Sequence, residues 1–137
     1  MKAKNRREIG KRWLKFNLVG GIGIVVQFGM LFLLKTFLHL NYLAATALAV
    51  EVAVVHNFVW HECYTWADRG VPTRRNSTRR LLQFNLTTGC VSIGGNLAMM
   101  RVLVGIGHLD YLVANGVAIG LCSLANFLVS EEWVFQP

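Results

Sequence analysis

The side chains able to do chemistry in this chain are few, and they sit in unusual surroundings. Glu51 lies near the middle of an apolar run, with His56, Asn57, His61 and Glu62 following it, while Asn96, Arg101, Asn115 and Asn126 are set into other apolar runs. These residue types can hydrogen-bond, hold a proton or attract an anion, but their pattern is not that of a catalyst. No nucleophile has a base and an orienting partner, and no glycine-rich loop is of the phosphate-cradling kind. Cys63, Cys90 and Cys122 have no paired spacing, so neither a zinc site nor a disulfide framework is indicated. The expectation is a protein that is not an enzyme, takes no metal or cofactor, and uses its polar residues for binding.

What must position these residues is legible from the apolar runs themselves. Residues 14–34 carry no charged side chain except Lys15, 42–60 carry only Glu51 and His56, 81–104 carry only Arg101, and 111–129 carry none. Runs of about 20 residues match a hydrocarbon layer of roughly 30 Å at about 1.5 Å per helical residue. A soluble domain of this length would show amphipathic elements with a charged outer face, and more than the 15% Asp, Glu, Lys and Arg present here. The fold class expected is all-α: a polytopic membrane protein of four transmembrane helices, forming one membrane domain over residues 1–137.

The chain also repeats itself. Phe16-Asn17-Leu18, His39-Leu40-Asn41-Tyr42-Leu43 and Asn57-Phe58 recur as Phe84-Asn85-Leu86, His108-Leu109-Asp110-Tyr111-Leu112 and Asn126-Phe127, at an offset of 68 early in each half and 69 later. One inserted residue aligns the halves and carries Glu62 onto Glu131, Tyr64 onto Trp133 and Trp66 onto Phe135, with Arg12 falling on Arg80. Self-similarity at this period marks a tandem duplication, with units at about 12–66 and 80–135 and a linker at 67–79 broken by Gly70, Pro72 and Asn76-Ser77. Each unit is a helical hairpin of two spans, which returns the chain to its starting side. The two units therefore share one topology, a parallel repeat rather than an inverted one.

Basic residues orient the bundle. Seven precede or open the first span, from Lys2 to Lys15, and Arg69, Arg74, Arg75, Arg79 and Arg80 lie between the second and third; both clusters, and hence both termini, belong in the cytoplasm. The same rule accounts for the net charge of +7 without a nucleic-acid partner. The N-terminal apolar run is long for a signal peptide and reads as an anchor that stays.

Polar residues inside spans are costly, so their placement carries information. Glu51 is either half of a structural pair or a proton or substrate site, and Arg101 snorkels outward or points toward Glu51. At 100° per residue Asn57 and His61 share one face of the second span, while Glu51, Phe58 and Glu62 share another. Stripes recur as Gly20, Gly23 and Gln27, as Asn85, Thr88, Ser92 and Asn96, and as Asn115, Cys122, Asn126 and Ser130. Small residues mixed with amides pack membrane helices, and converging amide faces also make a polar cleft. Trp13, Trp60, Tyr64, Trp66 and Trp133 mark the cytoplasmic boundary, Tyr42 and Tyr111 the other.

Residues 16–21, the segment 49–62 with His56-Asn57-Phe58 at its heart and Thr65-Trp66 closing it, Gly94-Gly95-Asn96-Leu97 with Met100-Arg101, and Asn126-Phe127 with 133–135 together resemble the GtrA family. Cys63 departs from its pattern, since a basic residue usually follows the His-Glu pair. The resemblance implies a multi-pass protein of the bacterial inner membrane that moves a polyprenyl-phosphate-linked monosaccharide between leaflets for cell-surface polysaccharide synthesis, alongside a membrane glycosyltransferase. On that expectation Asn57, Asn96 and Asn126 hydrogen-bond the sugar, Glu51 and His56 are protonatable gating groups, Arg101 borders the path, and Arg12, Arg80 and His61 meet the phosphate. Four spans enclose little interior, so a homodimer is expected. Two alternatives stand beside this one: an anchor that recruits the glycosyltransferase, and a small proton-coupled exporter.

Overall fold

A computed structural model describes residues 2–69 and 73–136. The described residues form helices joined by short turns. Helix α1 (Lys2–Thr36) is α-helical throughout, and α2 (Tyr42–Trp60) runs on into a wider π turn, His61–Thr65. Helix α3 (Arg74–Gly89) continues through a π stretch at Cys90–Gly95 into α4 (Asn96–Met100) and a second π stretch at Arg101–Ile106; α5 (Tyr111–Val129) ends in a π turn at Ser130–Val134. Four helical segments are long and apolar enough to cross a membrane: Arg6–Thr36, Ala44–Thr65, Arg74–Ile106 and Gly116–Val134. None of the most apolar window of the third is buried inside the protein, and Phe28, Phe32, Leu82, Leu97 and Ile106 are among many large apolar side chains left exposed. So much outward apolar surface would drive association in water and is at home in lipid.

The chain divides into two compact units, Met1–Pro72 and Thr73–Pro137. In the first, α1 turns back into α2 through His39, held at φ 50°, and Asn41 caps α2 by accepting a 2.8 Å hydrogen bond from the Ala44 N–H. Histidine tolerates that left-handed backbone better than most residues, though the conformation costs about 1–2 kcal/mol. Asn41 offsets part of it by satisfying one of the N–H donors that the first turn of α2 leaves unpaired. In the second unit His108 stands at φ 51° and Asp110 accepts from Val113 N–H at 3.4 Å before α5.

Each unit is held by a seam of small residues. Ala45, Ala49 and Ala53 of α2 are buried at every fourth position, as are Ala114, Ala118 and Cys122 of α5. Side chains at this spacing line one stripe of a helix, and their small size lets the backbones approach so that dispersion contacts replace a hydrophobic drive that lipid does not supply. Phe16, Val19, Phe58 and Trp66 complete the first core, and Phe84, Phe127, Val134 and Phe135 the second.

Candidate functional site

Two of the amides predicted to bind, Asn57 and Asn126, sit on these seams. Asn57 lies half-buried on α2 directly over the bare backbone of Gly23 in α1: a Cβ at Gly23 would stand 2.2 Å from Asn57 Oδ1. The same Oδ1 is 3.3 Å from His56 Nδ1, a hydrogen bond when that ring nitrogen carries the proton. In the second unit Asn126 Nδ2 donates to Ser92 Oγ at 3.0 Å, and Gly95 is close enough to α5 that a Cβ there would stand 3.0 Å from Cys122 Sγ. Asn126 Oδ1 is buried and has no hydrogen-bond partner among the described residues. An acceptor desolvated in this way costs about 1–3 kcal/mol.

The ends of the helices that carry the basic residues differ between the units. In the first, Phe16 stacks on His61 with ring centroids 4.7 Å apart and planes 9° apart, and Trp66 meets both edge-on at 6.1 and 5.4 Å. His61 is buried, with Nδ1 3.0 Å from Thr65 Oγ1. Arg12 Nη2 donates to Asp68, and Lys15 Nζ stands 4.5 Å over the Tyr64 ring while donating to its carbonyl at 3.3 Å. Partial burial alone would raise the Asp68 carboxyl, but the hydrogen bond and charge of Arg12, with the charge of Arg69 behind them, hold it below its ordinary 3.8.

That shift makes a prediction. A lowered folded pKa means that the stabilisation from the pair is complete above the ordinary carboxylate range and is lost as pH falls through the lowered value. The melting temperature of detergent-solubilised wild type should exceed that of Asp68→Asn by a small margin at about pH 6, and the two curves should converge below about pH 3.8. A difference that does not shrink as the pH falls below about 3.8 would show that something other than this ion pair is lost in the variant.

In the second unit Phe84 meets Phe135 edge-on at 6.2 Å, and Arg80 Nη2 donates to the Gln136 carbonyl at 3.2 Å. Beside this contact lies an open cavity of about 210 Å³ lined by Asn76, Arg79, Arg80, Gln83, Trp133, Val134 and Gln136.

The predicted residues thus fall into three groups. Asn57 with His56, and Asn126, lie on helix seams. Glu51 and Arg101 are exposed, Glu51 two residues from both Ala49 and Ala53 and so on the far side of α2 from its seam. Phe58, expected on the face of Glu51, is buried instead. His61, expected to contact a phosphate, is enclosed by aromatic rings, and Arg12 is engaged by a carboxylate; the Asn96 side chain lies outside the described residues. Among the described residues no cluster of three His, Cys, Asp or Glu could hold a metal. Sequence reasoning missed Asp68, Asn76, Gln83 and Gln136, whose only signal was proximity to the basic clusters.

Residues 15–135 match the family described as GtrA/DPMS, transmembrane domain. The chain belongs to that family. A dolichol-phosphate mannosyltransferase of Pyrococcus furiosus is 33% identical over 126 residues, covering 88% of this chain and 33% of the relative. The chain therefore spans about a third of the length of that relative. The polar seams of this GtrA/DPMS domain all lie inside the matched region, whereas Arg12 and Gln136 flank it.

Proposed function

We propose that this GtrA/DPMS membrane domain translocates a polyprenyl-phosphate-linked monosaccharide across the bacterial inner membrane, without catalysing a reaction itself. The observation that carries the reading is the amide on each helix seam: Asn57 over Gly23, and Asn126 with a buried carbonyl oxygen unsatisfied among the described residues. Packing alone does not favour an orphaned acceptor in lipid, and a sugar hydroxyl is a donor of the right kind. Membership of a family with a relative named for dolichol phosphate and mannose supports the same substrate class. Asn96 would add an amide in the second unit, His56 would border Asn57 in the first, and Glu51 and Arg101, both exposed, would act at the surface of their own units. Arg80 meets the phosphate, while Arg12 and His61 act from behind, by holding the aromatic end of the first unit in shape.

On this reading the two units are same-topology repeats. Left-handed histidines, a capping Asn or Asp, small-residue seams and terminal π turns occur in both. The inserted residue of the second half falls in a stretch that holds two π segments, where α1 has none. Such wider turns are how a helix takes in one extra residue. Both termini would face the cytoplasm, and a homodimer together with a membrane glycosyltransferase would complete the machinery.

The test is the leaflet position of labelled polyprenyl-phosphate sugar over time in proteoliposomes holding only this protein. Transfer by wild type is expected, and Glu51→Gln is expected to remove its pH dependence while preserving shape. Unchanged pH dependence in the variant would end the gating role of Glu51. The second reading, an anchor for a glycosyltransferase, is favoured by the match to one third of a larger enzyme. It predicts no transfer by folded protein alone.

A further inference from the structure

We infer that the cavity at the basic end of the second unit is a docking site for the glycosyl-phosphate head of an isoprenoid lipid. The inference rests on the substrate class proposed above and assigns its loading position. Three features of the cavity fit that head and no simpler ion. Arg79 and Arg80 present planar forks that pair with phosphate oxygens through parallel N–H donors. Trp133, 46% exposed, offers an indole face of the kind on which the C–H side of a sugar ring packs. Asn76 and Gln83 bring amide groups, each both donor and acceptor, and Gln136, whose Nε2 donates to the Glu132 carbonyl, brings an acceptor, a set that suits vicinal hydroxyls better than a bare anion.

Size and surroundings narrow the ligand further. At about 210 Å³ the cavity is smaller than the roughly 300–1,000 Å³ that encloses drug-sized ligands, so it takes a group the size of one sugar or one phosphate-bearing ring, not an oligosaccharide. It opens at the start of a candidate span, and from there Leu82, Leu86 and Ile93 continue along the same helical rod, exposed by 67, 63 and 67%. A polar head in the cavity would leave its isoprenoid tail against that apolar strip. An amphiphile is the class of molecule that matches both.

Among the described residues the corresponding end of the first unit is built differently. Its Phe16, His61 and Trp66 pack their rings together, Arg12 is drawn to Asp68, and Lys15 is drawn over Tyr64. In the second unit Arg80 donates to the Gln136 carbonyl among its contacts, and Arg79 is exposed.

The experiment is equilibrium binding of radiolabelled polyprenyl-phosphate glucose to the full chain in phosphatidylcholine nanodiscs. Unlabelled polyprenyl phosphate and phosphatidylglycerol serve as competitors. Arg79→Gln and Trp133→Ala are each expected to weaken binding by about tenfold, the loss of one charge-assisted contact or one packed aromatic face. Arg7→Gln, which removes the same charge elsewhere, should bind within about twofold of wild type. Both cavity residues are exposed, so a melting curve matching wild type is expected; Trp133→Leu, which keeps apolar bulk without an aromatic face, replaces the alanine variant if that one does not fold. Polyprenyl phosphate should compete more weakly than the glycosylated lipid, and phosphatidylglycerol hardly at all. Displacement by phosphatidylglycerol at equal concentration would overturn the site in favour of a generic anionic-lipid patch. So would unchanged binding in folded Arg79→Gln and Trp133→Ala, or no binding by folded wild type. Binding without leaflet transfer would keep the site and overturn translocation, which separates the two ideas.

Discussion

Gly23→Leu is expected to be the most damaging single substitution in the first unit. The first atom of any side chain there would stand 2.2 Å from Asn57 Oδ1, 2.5 Å from Nδ2 and 2.7 Å from Cγ, so the whole amide must leave or the helices must part. Overpacking of a tight contact costs about 1–3 kcal/mol, and leucine in a seam built for no side chain belongs at the top of that range, about 3 kcal/mol. Gly23→Ala should cost less, because Asn57 can swing away, but it should disable transport by displacing that amide from His56. The decisive comparison is the double variant Gly23→Ala, Asn57→Ala. Removing the amide makes room for the new methyl group, so the pair should be less destabilising than the sum of the single changes by about 1 kcal/mol. Reversible unfolding in mixed micelles measures all four corners of the cycle. Additive losses would mean that the two residues do not meet in the folded protein.

The second large effect separates stability from function. Replacing Asn126 by leucine together with Ser92→Ala removes an interhelical hydrogen bond, worth about 0.6 kcal/mol on average between membrane helices. It also removes a buried carbonyl with no partner among the described residues, a burden of about 1–3 kcal/mol. The second figure is larger, and leucine fills the volume of asparagine. The double variant should therefore melt at the wild-type temperature or above it. Transport in proteoliposomes should nonetheless fall by at least about tenfold, because the acceptor for the sugar is gone. A stable variant that still moves the lipid would reduce Asn126 to a packing residue. One that melts well below wild type would show that Oδ1 is satisfied in the membrane.

Both expectations start from residues that the sequence already marked, yet neither could be stated from it. Asn57, Gly23, Asn126 and Ser92 stand out because a polar or small residue in an apolar run is improbable without a use. That Asn57 covers Gly23, and that Asn126 reaches Ser92 with one of its two polar atoms, depends on how far each helix is rotated about its own axis. His61 shows the difference plainly. Its spacing from Asn57 places both on one side of α2, which holds, but only the fold reveals that Phe16 and Trp66 close over His61 and turn a prospective phosphate contact into part of an aromatic core. Glu51 and Phe58 are nearly eclipsed on a helical wheel, and one is exposed while the other is buried. A wheel gives a direction and says nothing of what waits there.

What the sequence determined by itself is therefore the solvent and the count of crossings. Hydropathy is a sum over some 20 consecutive residues compared with one length, the thickness of the bilayer, and it requires no knowledge of neighbours. The four helical segments long and apolar enough to span were readable on that basis, and the resemblance to the GtrA/DPMS domain family rested on separate motifs such as His56-Asn57-Phe58. Tertiary structure decided which polar residues meet and what surrounds each basic end. The π stretches that interrupt the third span shift the phase of every side chain beyond them, so a uniform 100° step loses register where Arg101 and the Gly95–Cys122 approach lie. Arg12 and Arg80 occupy matching places in the two halves, yet one is drawn to a carboxylate and the other to a carbonyl at the edge of a cavity, because the residues that come back to meet them, Asp68 and Gln136, lie 56 positions further along the chain. Long-range pairing of that kind is set by the whole path of the backbone, and no local pattern encodes it.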